Sequence, residues 1–258
     1  EIHRVNGTMI NQNDANAALI SQLGFKTVAV IHDTTDYGKG HNEYFSKALA
    51  RIGKAKIVGT FGVTADQQDF TAELTKIKAL KPDLLLASGH TKGAVTTVRQ
   101  MKELGVYVPV VAMTHCESAN LTGKFGAEAN GILCPTQWAE TLTYKDPLFG
   151  TAMDYYRLFK KTYPSYNEVP YQSAQASAAI EIWADAFQRA QSFDTEKLRD
   201  ALAATEMQTF YGNIKFDSTG KNTAKPMVLR QILDGKYVVV APAEYATEKA
   251  QLPRKAGS

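Results

Sequence analysis

The sequence predicts an α/β fold in which an open, mostly parallel sheet carries helices on both faces. Between about residue 12 and residue 138, short apolar runs alternate with segments of helical periodicity. The runs are short enough to be strands that are buried on both sides. The segments between them are long enough to cross over from one parallel strand to the next, as in Rossmann-like sheets.

Five apolar runs mark the strands of this sheet. They are Thr27–His32, Lys56–Thr60, Asp83–Ser88, Val108–Met113 and Gly131–Pro135. Helical faces lie between the strands, formed by Phe45, Leu49 and Ile52 and by Phe70, Leu74, Ile77 and Leu80. Because these apolar residues recur every three or four positions, each set falls on one side of a helix.

The pattern changes after residue 138, where helices dominate to about residue 205. The predicted helices are Asp146–Tyr163, Tyr171–Gln191 and Thr195–Ala204, with Asp194 as an N-cap. Strand runs follow at Gly212–Asp217, Pro226–Leu233 and Lys236–Val240, and Asp234-Gly235 predicts a hairpin between the last two. Residues 242–258 are polar with two prolines, which predicts a poorly packed tail.

Composition excludes several classes of protein. The 258 residues are 44% hydrophobic and 21% charged, and basic and acidic residues are interleaved in a net charge of +3. The basic residues form no stripe of the kind that indicates nucleic acid as a partner. No window approaches the roughly 20 consecutive apolar residues that a membrane span requires. The chain begins at Glu1 without a charged and apolar leader, so we expect that a secretory signal, if one existed, has been removed.

Sequence motifs give little support for catalysis, and no cofactor or metal is predicted. The nucleophile elbow, the phosphate-binding loop and the His-Glu-x-x-His pattern are all absent. Gly38-Lys39-Gly40 lacks the full dinucleotide fingerprint, and we expect its glycines to serve a turn with positive φ. Cys116 and Cys134 have no metal-ligand spacing. Two inert buried thiols are favoured, with a disulfide as the alternative.

Polar and aromatic side chains follow the predicted strands where these end. Tyr37 comes after the first strand, His90 and Thr91 after the third, and Thr114 and His115 after the fourth. Because the carboxyl ends of parallel strands meet at one edge of a sheet, these residues collect there. They suit a small polar or aromatic molecule that is held by hydrogen bonds and stacking.

Some of these residues have a second explanation. Tyr37 is equally compatible with packing on the following helix. Trp138, at the end of the fifth strand, either fills a joint between domains or stacks on a ligand. His90 and His115 together could coordinate a metal, but no third ligand stands near them, and hydrogen-bonding loop residues are favoured.

An ordered series of motifs resembles a known family. The motifs are Val28–Gly40 (VAVIHDTTDYGKG), Asp69-Phe70, Lys81-Pro82-Asp83, Val98-Arg99-Gln100, Ala127–Gly131, Leu198–Ala204 (LRDALAA) and Val228–Val240. In this order they are similar to the periplasmic type I solute-binding proteins of ABC transporters, the leucine/isoleucine/valine-binding group. The likeness covers nearly the whole chain.

The resemblance implies two Rossmann-like lobes that close on a ligand by hinge motion. Residues 1–138 with 209–241 match the second, ligand-binding lobe, residues 139–208 match a helical remainder of the first lobe, and 242–258 form a tail. The leading half of the first lobe has no counterpart, so we expect a truncated chain that binds poorly as a monomer. If the protein consists of these residues alone, we further expect it to form a homo-oligomer by exchange of residues 147–205.

The resemblance also implies a non-catalytic periplasmic receptor that closes around a small molecule and docks on an ABC permease. Our candidate ligand-binding residues are Asp36, Tyr37, His90, Thr91, Thr114, His115 and Trp138. Amino acid binders of the family place an acidic residue where Thr114 or His115 stands here, so a free α-amino acid is disfavoured. An aromatic or amino acid-like carboxylate is predicted instead, unless a shifted loop brings Glu117 to the ligand.

Two other classes of protein remain open from the sequence. A ligand-sensing domain of a signalling receptor would be favoured by an attached DNA-binding or transmembrane segment, and none is visible. An enzyme on a Rossmann-like sheet would need a nucleophile with a base, or a phosphate cradle, and the loops offer neither.

Overall fold

A computed structural model describes residues 3–5, 13–14, 17–18, 21–225 and 227–254. The chain folds into two compact units. The sheet unit comprises Met9–Thr136 and Leu229–Ser258, and the helical unit comprises Glu1–Thr8 and Gln137–Val228. Within the described ranges, no helix is long and apolar enough to cross a membrane.

A seven-stranded sheet forms the centre of the sheet unit, as the alternating pattern predicts. Its strands are β1 Thr27–Asp33, β2 Lys56–Val63, β3 Leu84–Ser88, β4 Val110–Met113, β5 Leu133–Thr136, β10 Val228–Leu233 and β11 Lys236–Ala241. They lie in the order β11-β10-β5-β4-β3-β1-β2, with parallel pairing from β2 to β5. The Asp234-Gly235 hairpin is confirmed, because β10 and β11 pair antiparallel.

Helices cover both faces of this sheet. They include α1 Asp36–Ile52, α2 Thr71–Leu80, α3 Thr91–Glu103 and α4 Leu121–Phe125. Alternate residues of β1 point to opposite faces: Val28 and Val30 pack with α1, whereas Ala29 and Ile31 pack in the cluster that contains α2 and α3. Burial on both faces explains why the strands are continuous apolar runs rather than alternating ones.

In the residues that the structure describes, the helical unit contains three helices and two short hairpins. Its elements are β6 Lys145–Asp146, β7 Gly150–Thr151, α5 Ala152–Thr162, α6 Tyr171–Ala190, α7 Thr195–Ala203, β8 Glu206–Thr209 and β9 Gly212–Lys215. Asp194 caps α7 as predicted and accepts a hydrogen bond from the Lys197 amide at 3.0 Å. One face of α6 is buried, whereas Ile180 and Trp183 on its other side are exposed.

The first of these helices begins later than predicted. Asp146 does not start it, because its carboxylate accepts hydrogen bonds from the backbone amides of Leu148, Phe149 and Phe210. The helix begins after Thr151, whose hydroxyl and backbone form a capping box with Asp154. The predicted start was therefore placed six residues too early, at Asp146, because aspartate is also a common N-cap residue.

Residues 209–228 belong to the helical unit, whereas the resemblance assigns them to the other lobe. The reason is the β8–β9 hairpin, which the sequence did not predict as a pair. Ile214 of β9 packs on Ile182 of α6 and with Phe216 in one apolar cluster. The predicted strand that begins at Pro226 begins at Val228, and Pro226 itself lies outside the described residues.

None of residues 242–254 is buried, as a poorly packed tail predicts, but hydrogen bonds hold Gln251 and Arg254 to the sheet unit. The side-chain amide of Gln231 bonds to the backbone of Gln251 at both ends. Its Nε2 donates to the Gln251 backbone carbonyl at 2.9 Å, and its Oε1 accepts from the Gln251 backbone N–H at 2.8 Å. The Tyr107 hydroxyl donates to the Arg254 carbonyl at 2.7 Å. Residues 255–258 lie outside the described residues.

Cys116 and Cys134 form a disulfide, so the prediction of two inert thiols is wrong. Cys116 follows β4 and Cys134 lies in β5, and these strands are neighbours in the sheet. Their Cα atoms are 5.9 Å apart, within the range that a disulfide bridges. The 18-residue separation in sequence could not show this proximity, which depends on strand order.

Candidate functional site

Three neighbouring strands bring their loops together at one edge of the sheet. The order β4-β3-β1 places the loops that carry Tyr37, His90 and His115 side by side. The ring centroid of Tyr37 lies 5.1 Å from that of His90 and 5.5 Å from that of His115. The two imidazoles stack at 5.8 Å. We call these three side chains and His41 the ring cluster.

Asp33, the last residue of β1, ties these loops together. Its carboxylate is only 5% exposed and accepts four hydrogen bonds. One oxygen accepts from the backbone amide and the hydroxyl of Thr35. The other accepts from the His90 amide at 2.9 Å and from His90 Nδ1 at 2.7 Å. Burial raises the pKa of Asp33, but these donors lower it more, so the net pKa is below its ordinary value.

Two glycines allow the loops to approach Asp33 this closely. A Cβ at Gly89 would lie 2.7 Å from the Asp33 carboxylate, and one at Gly38 would overlap both its carbonyl and its carboxylate oxygens. Gly38 lies in the first turn of α1 and is not among the residues with positive φ. The prediction that Gly38 serves a positive-φ turn is therefore wrong: the requirement here is space.

His41 is the member of the ring cluster that sequence reasoning missed. It is 2% exposed, its ring lies 4.5 Å from that of Tyr37, and its Nδ1 lies 3.0 Å from the side-chain nitrogen of Asn13. Burial lowers its pKa to about 4, with His115 adding to this effect and Asp33 opposing it. His41 is therefore neutral near pH 7. Its spacing of four residues from Tyr37 on one helix was the available signal.

His115 adopts an unusual backbone conformation, with φ at 60°. For a residue with a side chain this left-handed region costs about 1–2 kcal/mol. Burial, and then the neighbouring His90, lower the pKa of His115. The preceding Thr114 is buried, and its hydroxyl donates to the Gly89 carbonyl at 2.7 Å and accepts from the Gly89 amide at 3.1 Å. Thr114 thus joins the two loops.

The other predicted residues lie outside the ring cluster. Asp36 is exposed in the first turn of α1, and Thr91 is the partly buried first residue of α3. Trp138 belongs to the helical unit and is 1% exposed. Its indole N–H donates to the Phe210 carbonyl at 3.2 Å, and its ring meets Tyr155 edge-on.

Glu117 does not extend into this group of side chains. It forms an ion pair with Arg230 in which both side chains are only 2% exposed. The arrangement that would bring Glu117 to a ligand amine is therefore not the one observed. Nor do three or more metal-ligating side chains converge anywhere in the described part of the chain, so His90 and His115 remain a stacked pair with Nδ1 of His90 directed to Asp33.

Comparison with known proteins identifies the family. Residues 5–236 match the family described as Periplasmic binding protein, and the chain belongs to it. A curated relative, the leucine-, isoleucine-, valine-, threonine-, and alanine-binding protein of Pseudomonas aeruginosa, is 25% identical over 195 residues. That alignment covers 76% of this chain and 50% of the relative.

Solved structures show the same fold. A leucine-binding protein from Thermotoga maritima is 23% identical with a TM-score of 0.80, covering 93% of this chain and 67% of that one. A solute-binding protein of an ABC transporter from R. palustris, in complex with benzoate, is 20% identical with a TM-score of 0.76, covering 96% and 67%. The fold is therefore that of type I periplasmic binding proteins. The chain spans about half the length of the curated relatives it matches.

Proposed function

We propose that this chain is part of an extracytoplasmic solute-binding receptor that supplies a small carboxylate to an ABC permease. The observation that carries this proposal is the ring cluster at the carboxyl edge of the sheet. Tyr37, His90 and His115 present aromatic surface and ring nitrogens there, while Asp33 and Thr114 hold the loops from beneath. The receptor acts by closing around the ligand, and the ligand's preference for the closed form drives this change.

The chemistry of the ring cluster favours a carboxylate over a free α-amino acid. The Asp33 carboxylate already accepts four hydrogen bonds, and Glu117 is paired with Arg230. Neither can neutralise a ligand ammonium group without losing these partners, and an unpaired buried charge costs several kcal/mol. An aromatic carboxylate instead stacks on Tyr37 and accepts from imidazole N–H groups.

The disulfide supports the location outside the cytoplasm. Disulfides form and persist in oxidising compartments such as the periplasm, and Cys116–Cys134 lies in the core of the sheet unit. Together with the family assignment, this favours a periplasmic receptor with a membrane permease as its partner. Self-association through residues 147–205 stays a prediction, to be checked by solution scattering.

A ligand titration followed by NMR tests the proposal, and it uses the full-length receptor because this chain spans only about half the length of its relatives. We expect benzoate to shift the imidazole signals of His90 and His115, and leucine and valine to leave them unchanged. Tyr37→Leu removes the stacking surface and should weaken benzoate binding, whereas Tyr107→Leu, at the opposite end of the sheet unit, should not. Shifts with leucine but not with benzoate would contradict the proposed ligand class.

A further inference from the structure

The segment that carries His115 is fixed at the two residues that follow it. Cys116 is bonded to Cys134 of β5, and its carbonyl accepts a hydrogen bond from the Tyr237 hydroxyl of β11 at 3.0 Å. Glu117 pairs with Arg230 of β10. Three different strands therefore hold two consecutive residues, and we call these five side chains the loop anchor.

The members of the loop anchor support one another in a nearly solvent-free environment. All five side chains are buried. The Arg230 guanidinium carbon lies 4.9 Å from the centre of the Tyr237 ring, so the ion pair and the phenol are in contact. Burial lowers the pKa of Arg230 to about 10, which leaves it charged near pH 7 and able to pair with Glu117. Removing one partner would leave the other charge buried without compensation.

This arrangement explains how His115 keeps a backbone conformation that its side chain disfavours. A residue in the left-handed region persists only where the surrounding structure determines it, and the loop anchor begins at the next peptide. We propose that the loop anchor positions the His115 imidazole beside Tyr37 and His90, so that ligand affinity depends on the Cys116–Cys134 disulfide and on Tyr237. The part that concerns affinity rests on the proposed function, whereas the part that concerns His115 does not.

Two variants weaken the loop anchor to different degrees. The chain contains two cysteines, so the double substitution Cys116→Ser with Cys134→Ser removes its one possible intramolecular disulfide. Tyr237→Phe removes only the hydroxyl and keeps the ring against Arg230. Tyr107→Phe is the matched control, because it removes a tyrosine hydrogen bond to the Arg254 carbonyl at the other end of the sheet unit.

The readout is the NMR titration of His115 without ligand, together with ring-to-ring contacts to Tyr37. In the unmodified protein, we expect His115 to titrate below its ordinary value of 6.5, in line with its burial. In both anchor variants, the titration midpoint should rise toward 6.5 and the Tyr37 contacts should weaken. Tyr107→Phe should change neither. A loss of stability alone would not move the titration of a folded protein in this way.

Ligand affinity, measured in the full-length receptor with both lobes, gives a second readout. If the released loop adopts the binding conformation about one tenth of the time, benzoate affinity falls about tenfold. Unchanged His115 titration and Tyr37 contacts in the anchor variants would overturn the inference, and Tyr237→Phe decides alone if the serine variant does not fold. If His115 responds but benzoate binds no variant, the proposed ligand fails and the loop anchor stands.

Discussion

Protonation of His41 should destabilise the sheet unit in mild acid. The imidazole is buried against Tyr37, and its pKa is lowered from 6.5 to about 4 because burial disfavours the charged form. Unfolding exposes the ring and restores the ordinary value, so the unfolded chain binds a proton that the folded chain excludes. The stability that this group contributes is therefore complete above pH 6.5 and is lost as the pH falls toward 4.

The size of this effect follows from the two pKa values. Each pH unit between them is worth about 1.4 kcal/mol, so the sheet unit should lose about 2 to 3 kcal/mol of unfolding free energy between roughly pH 7.5 and pH 4.5. His115, whose pKa is also lowered, adds in the same direction. The pKa of Asp33 lies below 3.8, so its carboxylate stays ionised over most of this range.

Hydrogen exchange measured by mass spectrometry on peptides from β1 and α1 separates this unit from the rest of the chain. As the pH is lowered, the protection of these amides from exchange should fall in the unmodified protein, after correction for the pH dependence of intrinsic exchange rates. In His41→Phe, which keeps a ring against Tyr37 but cannot titrate, most of this dependence should disappear. An equal loss of protection in both proteins would refute the assignment of the effect to His41.

Three further outcomes are expected. Burial and the neighbouring Asp146 raise the pKa of Glu181 from 4.5 to about 7, so the stability that its proton contributes is complete below pH 4.5 and is lost as the pH rises through 7. Glu181→Gln should therefore stabilise the helical unit above pH 7 and much less at pH 5, as measured by thermal unfolding. Gly38→Ala should cost about 1–3 kcal/mol in denaturant unfolding through overpacking, whereas Gly93→Ala, where a Cβ meets open space, should not destabilise. Asp36→Asn should leave benzoate affinity equal or tighter in calorimetry, and a large loss would show that the Asp36 carboxylate itself contributes to benzoate binding.

Much of the fold could be predicted because the sheet imposes a simple pattern on the sequence. Strands buried on both faces must be short apolar runs, and each of the five predicted runs overlaps an observed strand. The Asp234-Gly235 hairpin and the Asp194 cap depend on residues that are neighbours in sequence, so both were visible. The β8–β9 hairpin was missed because its strands are four residues each and only partly buried.

The candidate site was only partly predictable, because its geometry depends on strand order. Tyr37, His90 and His115 could be found from their positions after three strands. The role of Asp33 could not be predicted, because one of its hydrogen-bond partners, His90, is 57 positions away in the sequence. The same reasoning applies to Cys116 and Cys134, which become neighbours only once β4 and β5 pair.

Asp33 separates the buried groups that hold the loop backbones from the side chain that lies above them. The groups that shape the loops are buried, whereas the side chain of His90, on the surface above them, is 53% exposed. In the proposed receptor, substitution of His90 would therefore change the ligand-facing surface, while the buried Asp33 carboxylate continues to hold the Thr35 and His90 backbone amides. For that proposed receptor, a library randomised at His90, with Asp33, Gly38 and Gly89 kept fixed, is a starting point for changing ligand selectivity.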